Sequence, residues 1–161
     1  MTTAVQAPQA AFETFSQTLA TSGLRPALAY LLSLTDYRFI AIFRFEDGKA
    51  NAAVYVDREN PLVLAVDEVP QEATYCCFVR DSGGVFMTAD SMQDPRLEAH
   101  PTRPDVRAYC GVPVMDAEGT IIATLCHYDV VPRDPTQIDL ELMMQVASAL
   151  AYGGHVPAYP R

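Results

Sequence analysis

Apolar positions recur at spacings of three and four from about Gln9 to Leu34: Phe12, Phe15 and Leu19, then Ala27, Leu28, Leu31 and Leu32. That period stacks them on one face of a helix. Thr21-Ser22-Gly23 interrupts the pattern, and Pro26 suits the first turn of a new helix, so two helices with a break near Gly23 are predicted. Tyr37 to Phe45 alternates and is rich in aromatic and β-branched residues, which predicts a strand. Asp47-Gly48 is a hairpin turn, and Ala50 to Val56 is the returning strand. Residues 57–70 read as irregular, with prolines at 61 and 70. Gln71 to Arg80 suits a short helix ended by Gly83-Gly84. Val85 to Thr88 suits a short strand, and 90–103 a loop with one helical turn near Pro95–Ala99. Val106–Met115 and Thr120–Tyr128 form the strongest hairpin, joined by Asp116-Ala117-Glu118-Gly119. A last helix, capped by Asp134 or Thr136, runs to about Tyr152 with a broad stripe from Ile138 through Met143 and Val146 to Leu150.

This order predicts an α+β fold around an antiparallel sheet. A three-residue turn at Gly119 aligns Ala108, Cys110 and Val112 with Ile122, Thr124 and Cys126 on one face of the last hairpin. Tyr109 and Pro113 then share the other face with Ile121, Ala123 and Leu125. A sheet apolar on both sides needs cover on both sides. The terminal helices cover one, and the middle segment, about 57–105, covers the other. Residues 1–9 read as a flexible tail, 10–152 as one domain and 153–161 as a second tail.

The chain has 161 residues, half of them apolar and 19% charged, which suits one globular domain with a real core. No apolar run approaches the roughly 20 residues of a membrane span. No basic segment followed by an apolar block opens the chain, so the expectation is a cytoplasmic protein with free thiols at Cys76, Cys77, Cys110 and Cys126. The net charge of -9, with basic residues scattered singly, speaks against nucleic acid and anionic membranes as partners. Lys49 is the single lysine among eleven basic residues, which points to a GC-rich, bacterial coding genome.

Tyr75-Cys76 with Val79, Val85-Phe86 to Asp90, Asp94-Pro95-Arg96 and Pro101 make up a middle segment similar to that of the GAF family. Arg107 to Val114 resembles its strand with a Tyr-x-Gly-x-Pro pattern, and Gly119 to Asp129 with Pro132-Arg133 its closing strand and exit loop. The resemblance spans roughly residues 10–152. It implies a GAF-like, PAS-like central antiparallel sheet, terminal helices on one face, and loops with short helices over a ligand pocket on the other. It also implies a regulatory module that dimerises through its terminal helices. No effector region accompanies it here, so a stand-alone module is expected.

The chemistry-bearing residues define no catalytic set. Cys76-Cys77 lacks the spacing of a zinc site, and His127 alternates away from Cys126, so buried structural cysteines are expected and no metal or cofactor is assigned. Stand-alone reductases of the family carry cysteines in the middle segment, and residues 85–105 contain none. Cys126-His127 lies in a strand, unlike the helical Cys-His pair of bilin-binding members. The Asn-Lys-Phe-Asp-Glu signature of cyclic-nucleotide-binding members is missing. Ser82-Gly83-Gly84 is a turn, His100 a solvated or capping loop residue, and Asp90, Asp94, Arg96, Arg103, Asp105 and Arg107 lace the loop together. The pocket candidates are Phe43, Tyr55, Tyr75, Cys76, Phe78, Phe86, Tyr109, Cys110, Cys126 and Tyr128. The expected function is a sensory module that binds a small molecule without catalysis. A pocket-filled adaptor for a signalling protein and a thiol-based redox sensor or reductase stand as alternatives.

Overall fold

The computed structural model describes residues 8–160, so most of the N-terminal tail read at 1–9 lies outside the described residues. Helix α1 spans Pro8–Ser22 and α2 spans Leu24–Ser33. They are separated at Gly23, whose φ of 100° lies in the region that favours glycine. Strands β1 (Phe39–Glu46) and β2 (Lys49–Asp57) form a hairpin over Asp47 and Gly48, both at positive φ. A two-residue edge strand, β3 (Val69–Pro70), pairs with Lys49 and Ala50. Helix α3 (Cys76–Ser82) leads to β4 (Phe86–Thr88). Strands β5 (Ala108–Met115) and β6 (Ile121–Asp129) precede α4 (Leu140–Tyr152). Together the strands form one antiparallel sheet in the order β3-β2-β1-β6-β5-β4.

Most elements lie where the residue pattern places them, with two refinements. The predicted helix 71–80 is interrupted at Thr74, which is extended, so a 3₁₀ turn at Gln71–Ala73 precedes α3. The last helix is capped by Asp139, whose side chain accepts from the Leu142 N–H at 3.0 Å. Asp134 caps a separate 3₁₀ turn at Pro135–Gln137.

Two cores flank the sheet. Under the helices, Phe15, Leu28, Leu31, Val146 and Leu150 meet Ile40, Ile42, Cys110, Val112 and Leu125. On the other face, Phe39, Ala41, Tyr55, Tyr109 and Cys126 meet Tyr75, Cys76, Val79 and Leu97 from α3 and the loops. Each fully buried large side chain adds roughly 1.5–3 kcal/mol of hydrophobic stabilisation, so both layers contribute.

The alignment of the last hairpin differs from expectation by one residue. Met115 pairs with Ile121, which is the register the turn predicts, but Val114 pairs with Ala123. Ile122 is an inserted bulge residue, and every residue of β6 beyond it faces the opposite side. Cys110 therefore stands opposite His127 and under the helices, whereas Cys126 faces the loops. The expected Cys110–Cys126 juxtaposition does not form.

Ion pairs close one end of the sheet. Arg38 forks onto Asp57 at 2.9 and 3.0 Å, and its guanidinium holds the Asp57 carboxyl below the ordinary value. The Asp129 carboxylate accepts from the Arg38, Val130 and Val131 N–H groups and from Arg133 Nε at 2.8 Å. Arg58 caps α2 by donating to the Leu32 and Thr35 carbonyls. Asp129 is 1% exposed and gathers these donors on one carboxylate, so Asp129→Ala removes their shared acceptor and the Arg133 ion pair. A loss of about 2 kcal/mol is expected, read as a lowered urea midpoint; an unchanged midpoint contradicts this role.

The C-terminal segment is less of a tail than expected. Val156 packs against the helix-side core, and Tyr159 hydrogen-bonds Glu68, which also pairs with Lys49 at 3.2 Å. No helix among the described residues is long and apolar enough to cross a membrane.

Candidate functional site

The loop-covered face of the sheet encloses a cavity of about 210 Å³. Phe43 of β1, Tyr109 of β5 and Tyr128 of β6 form its strand side. Alternation along each strand turns these side chains to the same face. The other side comes from Val66, Val69, Ala73, Thr74, Tyr75, Cys76, Thr102 and Val106, with Asp67 as the charged residue of the lining.

Hydrogen bonds hold the irregular wall. The Tyr75 hydroxyl donates to the Val106 carbonyl at 2.8 Å, and the Thr102 hydroxyl donates to the Ala73 carbonyl. Gln71 N–H donates to the Gly48 carbonyl at 2.9 Å, tying the start of this wall to the β1–β2 turn. Beneath it, Arg107 forks onto Asp90 at 2.8 and 3.0 Å, and Arg96 onto Asp94 at 3.0 and 2.6 Å. Arg103 donates to the Ser91, Met92 and Glu98 carbonyls. The Arg96 guanidinium holds the Asp94 carboxyl down at about 2. These charges brace the loop, as the sequence suggests, while the cavity lining is mainly apolar.

Aromatic rings continue outward from the cavity. Tyr75 meets His100 edge-on at 4.8 Å and Tyr109 at 5.6 Å, and Phe78 stacks on Phe86 at 4.6 Å. His100 is thus half-buried among rings rather than solvated, and burial lowers its basicity. Its Nδ1 accepts from the Thr102 N–H at 3.2 Å. Burial also pushes the Tyr75, Tyr109 and Tyr128 hydroxyls above their ordinary value, so each stays a neutral donor.

At the base of the cavity the Tyr109 hydroxyl donates to Cys76 Sγ at 3.1 Å. Burial opposes ionisation of Cys76, but the polar groups around its sulfur, Cys126 and the Tyr109 hydroxyl foremost, hold this thiol below its ordinary value. Burial pushes Cys126 well up, Cys110 to about 12 and Cys77 to about 11.

Of the candidates named from sequence, Phe43, Tyr75, Cys76, Tyr109 and Tyr128 line the cavity. Tyr55, Phe78, Phe86 and Cys126 pack in the same layer behind it. Cys110 is a correction: it alternates with Tyr109 along β5, so with Tyr109 at the cavity it faces the helices. Sequence reasoning missed Val66, Asp67, Val69, Ala73, Thr74, Thr102 and Val106. Their segments are irregular or too short to show a period, and the one local signal, the apolar residues between Pro61 and Pro70, does not say which way they face.

The GAF domain family model matches residues 21–152. A cyclic di-GMP phosphodiesterase of Pseudomonas aeruginosa is 35% identical over 75 residues, which is 45% of this chain and 13% of that protein. The chain thus spans about an eighth of that relative. The GAF domain of an Acinetobacter phosphoenolpyruvate-protein phosphotransferase superposes with a TM-score of 0.72 at 11% identity, covering 92% of both chains. Free methionine-R-sulfoxide reductase from Neisseria meningitidis superposes with a TM-score of 0.67 at 16% identity, covering 90% of this chain and 86% of that one. At these identities the two structures establish a shared fold and nothing finer. A two-sided antiparallel sheet, its loop-built cavity and a family match across most of its length lead to one conclusion: the chain belongs to the GAF domain family.

Proposed function

We propose that this chain is a sensory module that takes a small, largely apolar, neutral or cationic organic molecule into the cavity and transmits its presence without transforming it. The lining carries this reading: aromatic and aliphatic side chains with hydroxyl tips, one carboxylate at Asp67, and neither Lys nor Arg among the described lining residues. A cyclic dinucleotide brings two phosphates that need cationic or N–H partners, so the matched phosphodiesterase does not name the ligand. The volume also lies below the roughly 300–1,000 Å³ usual for drug-sized ligands, which favours a small metabolite.

A thermal-shift screen against small amines, amides, alcohols and aromatic metabolites tests this. A true ligand at saturating concentration raises the melting temperature by roughly 5–10 °C. Ala73→Phe fills the cavity from its 3₁₀ turn and is expected to abolish that shift while leaving the unliganded melting temperature within a few degrees. If no compound shifts the wild-type protein, the sensor reading fails and the adaptor reading takes its place. A specific observation favours that second reading: Leu62 and Leu64, beside the cavity wall, are 92% and 65% exposed.

Self-association through the terminal helices in a bacterial cytoplasm belongs to the same proposal. Met144 and Tyr152 stand exposed on α4 and would be covered in such a dimer. Sedimentation at the monomer mass at high concentration would remove the dimer from it.

A further inference from the structure

Two cysteines meet where the cavity closes. Cys76 begins α3 and lines the cavity, while Cys126 lies on β6 in the same buried layer. The Tyr109 hydroxyl reaches Cys76 Sγ at 3.1 Å, and the same ring lies across Gly111, whose cross-strand partner is Cys126. The other two thiols differ in place. Cys110 lies on the far side of the sheet, and Cys77, half-buried, is not part of the lining. This arrangement gives one sulfur a path for small molecules, a phenol to donate to its anion and a second sulfur beside it. A buried structural cysteine needs none of these.

We propose that Cys76 and Cys126 form a peroxide-responsive dithiol, with Cys76 as the attacking sulfur, Cys126 as the resolving sulfur and the cavity as the entry path for hydrogen peroxide or a small organic hydroperoxide. In the first step the Cys76 thiolate attacks a peroxide oxygen. The S–O bond forms, the O–O bond breaks, and the departing hydroxide or alkoxide takes up the proton that left the thiol. In the second step the Cys126 sulfur attacks the Cys76 sulfenic acid. The S–S bond forms, the S–O bond breaks, and water leaves with the Cys126 proton. Two thiols are oxidised to a disulfide, and the peroxide is reduced to water or an alcohol and a further water. Cys76 takes the attacking role because it lines the cavity and accepts from the Tyr109 hydroxyl, whereas Cys126 lies behind the lining and reacts second. This device stands apart from ligand sensing, since it needs the cavity as a channel and no bound metabolite.

The test treats the full chain with hydrogen peroxide, blocks remaining thiols with iodoacetamide and maps the peptides by mass spectrometry. The expected product has lost two hydrogen masses and carries a Cys76–Cys126 crosslink that dithiothreitol reverses. Cys126→Ser is expected to lose the crosslink and leave a Cys76 sulfenic acid that dimedone traps; Cys76→Ser is expected to lose both. Cys77→Ser and Cys110→Ser are expected to keep the wild-type product. An unchanged mass, a crosslink through Cys77 or Cys110, or oxidation of Cys76 without a crosslink in the wild-type chain overturns the proposal. The wild-type measurement decides even if a cysteine variant fails to fold. A thermal-shift screen without hits leaves this result untouched, so the two proposals fail separately.

Discussion

Gly111→Ala lowers stability by about 2 kcal/mol and drives the Tyr109 ring into the cavity. Tyr109 and Gly111 lie two apart on β5, on the same side, and the tyrosine side chain folds across the glycine. A Cβ at position 111 would sit 2.7 Å from ring carbons Cε1 and Cζ of Tyr109 and nearer still to its hydroxyl. Tyr109 is 3% exposed and hydrogen-bonded to Cys76, so the ring has the cavity as its open direction. Overpacking of this kind costs typically 1–3 kcal/mol. Urea denaturation reads the loss. With no tryptophan in the chain, near-ultraviolet circular dichroism is dominated by tyrosine and reads the displaced ring. Gly84→Ala is the control, since its Cβ meets only Ser82 Oγ at 3.9 Å; a change within about 0.5 kcal/mol is expected there. Equal effects at both positions would refute the steric account.

Acidification from pH 6.5 towards pH 3 destabilises the protein through His127, by about 3 kcal/mol near pH 4. His127 is 1% exposed beneath the helices, edge-on to Tyr37 at 5.8 Å. Burial, with a smaller contribution from the Arg58 guanidinium, drops its pKa to about 3. The unfolded chain binds this proton below about 6.5, and the folded chain refuses it until about 3. Stability is therefore full above 6.5, falls as pH falls through the window, and changes no further below 3. His127→Leu removes the titration. Its stability is expected to be flatter between pH 6.5 and pH 4 by the same 3 kcal/mol or so, measured as the pH dependence of the urea midpoint. Parallel wild-type and variant curves would sink this assignment.

Much of the fold is legible from local chemistry. The α1–α2 break at Gly23 needed a positive φ, and the Asp47-Gly48 turn needed two. The 3.6 and 2.0 periods marked the major helices and strands because their apolar faces must be buried. The short edge strand β3 escaped notice because two residues show no period and Pro70 argues against a strand. The site was half legible. Aromatic side chains large enough to wall a pocket pointed to Phe43, Tyr109 and Tyr128, which all line the cavity, but the expected pairing put Tyr128 on the face opposite Tyr109 until the Ile122 bulge brought the two together. The opposite wall was hidden, since Val66, Asp67 and Thr102 are held by hydrogen bonds and packing from distant segments rather than by a local pattern.

By itself, then, the sequence determined an α+β domain with a sheet greasy on both faces and loops over one of them. Burial and turn chemistry act over a few neighbouring residues, and those are written in order along the chain. Tertiary structure alone decided which side chains meet. The bulge at Ile122 costs one unpaired residue locally but rotates the rest of β6 by half a turn, sending Cys126 to the cavity layer and leaving Cys110 under the helices. A second shift, at Ala53, does the same within β2, turning Val54 and Val56 to the helices and Tyr55 to the loops. Whether such a slip is favourable depends on the partner strand and on both covering layers together, and no local stretch of residues carries that information.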